Sequence, residues 1–88
     1  MRITEELIID VENDLYKGPC HFVLTDESHL FNPYINSFID LSIDGITYKA
    51  FISQAVVEET GKENFHMITC YILTQETSPF LNKEIVIR

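Results

Sequence analysis

The stretch TEELIIDVENDLYKG, residues 4–18, carries the clearest local signal in the chain, and how it is read decides the fold. It predicts an α-helix over 4–17, with Thr4 as N-cap and Glu5 and Glu6 in the first turn, where carboxylates complement the helix dipole. Lys17 falls in the last turn, Gly18 is the stop and Pro19 stands behind it. At about 100° per residue, Leu7, Ile8, Val11 and Leu15 form one apolar stripe that must face a core. Glu6, Asp10, Asn13 and Asp14 line one flank of this helix, and Glu5 and Glu12 the other. Ile9 and Tyr16 fall between the acidic flanks, opposite the stripe, as either a second buried face or an exposed contact patch.

Past the Gly18-Pro19 break, CHFVLT reads as a strand. TDES then opens a loop through His29, Leu30, Phe31, Asn32, Pro33 and Tyr34 that is rich in large apolar side chains. Leu30, Phe31 and Tyr34 either tuck over the edge of the core or form a binding loop. The next segment, DLSIDG (40–45), contains Asp44-Gly45, a strong two-residue hairpin signal. The register this turn sets pairs Ile43 with Ile46, Leu41 with Tyr48 and Ile39 with Ala50 on one face. On the other face it pairs Ser42 with Thr47, Asp40 with Lys49 and Phe38 with Phe51, so apolar meets apolar and opposite charges face each other.

The same segment resembles the D-x-S-x-x-G motif of PilZ domains, small β-barrels that bind cyclic di-GMP. The resemblance implies Asp40, Ser42 and Gly45 as ligand contacts. It covers six residues, and the R-x-x-x-R pair that the family carries ahead of its barrel is missing, since only Arg2 and Lys17 lie upstream. A doubly anionic ligand would meet an acidic surface, and the hairpin register accounts for all three residues without one.

Ser53 is placed to cap a short second helix over 53–60 ended by Gly61, although VVEETGKE reads equally well as a strand running into a turn. FHMITCYILT (65–74) fits both periodicities, and its β-branched and aromatic content favours a strand; EIVIR ends the chain as a paired strand. The expected fold is therefore α+β: one domain over 1–88, with an N-terminal helix and a small antiparallel sheet containing the 38–51 hairpin.

Fourteen carboxylates against six Lys and Arg give a net charge of -8, and nine of the fourteen lie at or before Asp44. That balance argues against direct nucleic-acid binding, which draws its affinity from basic residues, and favours a basic protein partner. It is also what keeps a small domain soluble. The acidic start and the absence of an apolar run of about 18 residues predict an intracellular, cytoplasmic protein with no membrane span.

Cys20 and Cys70 are expected as reduced core residues, though a bridge between them is not excluded by sequence. With His21 and His66 they invite a zinc reading, but on strands Cys20 and His21 point apart and His66 and Cys70 lie roughly 13 Å from each other. No nucleophile elbow, phosphate loop or H-E-x-x-H is present, and no acidic residue is fixed by sequence near the histidines. The expectation is a non-enzymatic protein-binding module without cofactor or metal, an acidic inhibitor or nucleic-acid mimic of the phage anti-defence or toxin-immunity type. Its contact residues would be Glu6, Asp10 and Asp14 as a charged ridge, Ile9 and Tyr16 as anchors, and Phe31 and Tyr34 as a second contact. The alternative is a self-associating structural or regulatory protein that forms a homodimer.

Overall fold

The structure is a computed structural model that describes residues 1–57 and 65–88, apart from the side chains of Val56, Val57 and Phe65. Residues 4–17 are not a helix. They form strand β1 (Ile3–Glu12), a tight turn, and the start of strand β2 (Lys17–Thr25). The chain continues through a 3-10 helix (Ser28–Tyr34), β3 (Ser37–Ile43), β4 (Ile46–Val57), β5 (Phe65–Leu73) and β6 (Ile85–Ile87). Among the described residues the 3-10 helix is the only helical element, so the α+β expectation with an N-terminal helix gives way to a mostly antiparallel all-strand architecture. The short helix expected over 53–60 is overturned at 53–57, which belong to β4; residues 58–60 lie outside the described set.

The physical reasons for the correction sit in the turn. Asn13 Oδ1 accepts hydrogen bonds from the N–H groups of Leu15 (2.8 Å) and Tyr16 (2.9 Å), and the Asn13 N–H donates to the Tyr16 carbonyl (3.0 Å). An Asx turn of this kind competes directly with helical hydrogen bonding, and Asn-Asp in mid-helix was the warning. Ahead of the turn, Ile8, Ile9 and Val11 are β-branched and less favourable in a helix than in a strand. Gly18 is not a helix stop: it sits in β2 with φ +138°, and a Cβ there would come within 2.5 Å of the Gln75 side chain.

All six strands form one antiparallel sheet in the order β1-β2-β5-β4-β3-β6. The β3–β4 register is the expected one at every pair, from Phe38 opposite Phe51 to Ile43 opposite Ile46, and the Asp44-Gly45 turn has positive φ at both residues. Strands β5 and β6 also stand where strands were expected. An isolated bridge between Arg2 and Glu84 joins the two sheet edges. It is supported by Ile3 N–H to Lys83 O (2.9 Å), Asn82 N–H to Ile3 O (2.9 Å) and Ile85 N–H to Met1 O (2.6 Å). The sheet therefore closes on itself as a small barrel, which removes part of the free edge that an open sheet would expose.

Alternate residues of each strand face the barrel interior, where Leu41, Ile43, Ile52, Ile72 and Ile85 are fully or almost fully buried. Phe31 of the 3-10 helix, wholly buried, belongs to the same cluster. Phe80 packs between His21 and Tyr48, with ring centroids at 4.6 and 5.2 Å. A register shift between Ile3 and Glu5 changes which residues of β1 face inward, so that Glu6 follows Ile3 into the interior while Leu7, Ile9 and Val11 turn outward. No helix among the described residues is long and apolar enough to cross a membrane.

Candidate functional site

The outer face of the sheet carries a transverse row of large side chains. The registers place Leu7 opposite Phe22, Phe22 opposite Tyr71, Tyr71 opposite Phe51, and Phe51 opposite Phe38, across five neighbouring strands. The rings touch in pairs, with centroids 5.3 Å apart for Phe22 and Tyr71 and 4.9 Å for Phe38 and Phe51. Such tilted pairs hold each ring's orientation as well as its buried area.

Beside this row the tip of the β1–β2 hairpin makes a second wall. Val11, Leu15, Tyr16 and Cys20 from the hairpin face Phe38, Phe51, Tyr71 and Leu73 across a groove of about 260 Å³, with Asn13 as its polar corner. The Asx turn fixes the tip, and the Tyr16 hydroxyl donates to the Pro19 carbonyl at 2.7 Å, which anchors the far end of the ring. Burial, with a smaller contribution from Cys20, raises the Tyr16 hydroxyl above its ordinary pKa. Burial likewise pushes the Cys20 thiol up to about 11, so this wall is uncharged at neutral pH. Leu15 is 80% exposed and Phe38 48%, although both are large apolar residues next to a cavity.

The residues expected to carry contacts are scattered by this fold. Glu6 points inward and is not part of a surface ridge: its Oε2 lies 2.7 Å from His21 Nδ1, with the side chains 6% and 0% exposed. Asp10 shares the Glu6 face of β1 but is exposed where Glu6 is buried, and Asp14 is exposed in the turn, so the three form no common surface ridge. Ile9 is half-buried on the outer face of β1, and Tyr16 is half-buried as a groove wall. Phe31 is wholly buried and Tyr34 packs against the core, so the second contact expected there is core packing. Of the seven, Tyr16 alone lines the groove, and Ile9 lies on the same outer face.

Two further constellations resolve. Cys20 and Cys70 are both unbridged, and the β2–β5 register sets them on opposite faces of the sheet. Burial pushes the Cys70 thiol up to about 12. Of the residues implied by the PilZ resemblance, Asp40 pairs with Lys49 at 2.8 Å, Ser42 is nearly buried and Gly45 forms the turn.

Sequence reasoning missed the Glu6–His21 pair altogether. His21 Nε2 donates to the Glu76 carbonyl at 2.6 Å, and the two Glu6 oxygens accept the N–H of Phe80 at 2.9 and 3.0 Å. The Leu81 N–H donates to Glu6 Oε1 at 3.2 Å. Both ring nitrogens of His21 and both oxygens of Glu6 are thereby engaged in hydrogen bonds inside the barrel. The pair fastens the 76–81 segment to β1 and β2. The groove, by contrast, had a partial signal: Leu7, Ile9 and Val11 alternate at period two, and the hairpin register already put Phe38 opposite Phe51.

No family model, curated protein or solved structure matches the chain. The structure itself defines the class: a small closed antiparallel barrel with an apolar groove on its outer face.

Proposed function

We propose that the protein is a non-enzymatic protein-binding module that docks a basic partner through the outer groove. The observation that carries this reading is the position of Leu15 and Phe38, large, apolar and exposed beside a groove, outside a core that is already filled from the inner face. Single exposed hydrophobics are ordinary, but a contiguous aromatic row with a cavity beside it is the kind of surface that partners cover. The net charge of -8 supports a basic partner, because like charge resists a second acidic chain. An inhibitor or immunity-type role fits a domain of this size and charge.

The test is an affinity capture with the wild type and with a Leu15→Glu, Phe38→Glu variant shown by circular dichroism and thermal melting to be folded. The reading expects a basic protein that the wild type retains and the variant loses. Identical captures from both baits would refute it. A second reading, self-association through the same face, is favoured by β1 being an edge strand that pairs only with β2 along Leu7–Glu12. It predicts a mass for the isolated protein that rises with concentration and falls back to the monomer in the variant.

A further inference from the structure

The groove does not stand alone. A shallower depression of about 280 Å³ lies against it, lined by Asp10, Val11, Glu12, Lys17 and Gly18, and Val11 is a wall of both. One side of Val11 is thus apolar and roofed by aromatic rings, while the other presents two carboxylates. Lys17 Nζ sits 3.7 Å from Glu12, with both side chains 78% exposed. An exposed pair at that distance adds little to stability, so an incoming cation displaces it at little cost.

From this juxtaposition we infer that the partner is recognised through a two-point signature: one bulky apolar side chain seated in the groove, and a Lys or Arg set against Asp10 and Glu12. This deepens the binding reading above and rests on it. The groove supplies the anchor, because a desolvated pocket fixes one side chain well. The carboxylates supply selectivity, because a neutral residue at the second point gains nothing and an acidic one is repelled. Val11 projects from the outer face of β1, while its neighbours Asp10 and Glu12 project from the opposite face along the same edge strand, and successive side chains of an extended segment likewise point to opposite faces. For a segment laid along the β1 edge, the signature is therefore a cation next in sequence to a Phe, Leu, Met or Trp. A second copy of this chain is the less favoured occupant, since it would bring its own charge of -8 to an acidic rim.

The experiment is selection of phage-displayed random 12-residue peptides on the immobilised full chain, followed by fluorescence polarisation with synthetic copies of the enriched peptides. Three proteins are compared: the wild type, Leu15→Glu as the groove variant, and Asp10→Asn, Glu12→Gln as the rim variant. Leu15 and both rim residues are exposed, so each variant is expected to keep the fold. The expected result is enrichment of a cation adjacent to an apolar residue, with affinity falling about tenfold or more in the groove variant and about tenfold in the rim variant. Replacing the peptide's cation by Ala should remove the effect of the rim variant. Enriched peptides that need the groove but carry no cation, or ignore the rim variant, overturn the signature and leave the groove reading standing. No enrichment, or peptides insensitive to the groove variant, overturns both.

Discussion

Replacing Glu6 by Ala tests the interior of the barrel most sharply. The substitution removes the 2.7 Å hydrogen bond between the Glu6 carboxyl group and the His21 ring, buried on both sides, and leaves His21 Nδ1 without its partner. A charge-assisted hydrogen bond contributes about 1.5–3 kcal/mol, and a buried N–H left without an acceptor costs about 1–3 kcal/mol. Glu6 serves two backbone N–H groups, but Leu81 is exposed, so water replaces the bond there and only Phe80 is counted. The sum is about 4 kcal/mol, within the 3–5 kcal/mol typical of breaking one side of a buried ion pair. A domain of this length holds roughly 4–13 kcal/mol in total, so Glu6→Ala should remove a large share of the stability.

Glu6→Gln should cost less, about 1–2 kcal/mol, because the amide oxygen still accepts from Phe80 while its NH₂ keeps a polar group against the His21 ring. Asp10→Ala, on the same strand but exposed, should stay within about 0.5 kcal/mol of wild type. Equilibrium urea unfolding of the three variants, with a double-mutant cycle adding His21→Gln, measures all of this. A Glu6→Ala cost below about 1 kcal/mol, equal to that of Asp10→Ala, would refute the assignment of a buried, hydrogen-bonded pair that holds the barrel together.

The two thiols set an alkaline limit. Their folded values, about 11 for Cys20 and about 12 for Cys70, stand above the ordinary 9.0, so above pH 9 the unfolded chain releases protons that the folded chain keeps. Stability is therefore full below pH 9 and is lost as pH rises toward 11, a loss that Cys70→Ala should reduce when urea midpoints are followed over that range. Gly18→Ala should destabilise by about 1–3 kcal/mol through its φ of +138°. Combining it with Gln75→Ala removes the 2.5 Å contact but not the backbone strain, so the double variant should recover little in the same unfolding assay.

How much was legible in the sequence follows from which interactions are local. The β3–β4 hairpin was readable to the residue because its turn, its side-chain alternation and its charge pair all sit within fourteen positions, 38–51. Residues 4–17 misled because helix-end signals are cheap: Thr4, Gly18 and Pro19 each have a second use, here a register shift, a left-handed strand residue and a carbonyl that holds Tyr16. The contrary signal, Asn13-Asp14 after the β-branched Ile8, Ile9 and Val11, competes with a four-residue apolar stripe at helical spacing. The groove needed knowledge of which strands are neighbours, since Phe22 meets Tyr71 only because β2 lies beside β5. The Glu6–His21 pair needed both that neighbourhood and the register shift that turns Glu6 inward.

The change from helix to strand also changes how binding should respond to salt. A ridge of Glu6, Asp10 and Asp14 would have made charge the main source of affinity, with apolar residues in support. In the barrel Glu6 is sequestered by His21, and charge is left at the rim of an apolar groove through Asp10 and Glu12. At 0.5 M salt the screening length is roughly 4 Å, so the rim contribution should largely vanish. The apolar anchor, at about 1.5–3 kcal/mol for one large side chain, should not. Binding of an enriched peptide should therefore weaken by about tenfold between 0.05 and 0.5 M NaCl and then level off. The rim variant should start near that plateau and stay on it. A continued steep fall with salt in both proteins would mean that charge away from the groove holds the partner, and that the apolar face is not the seat of recognition.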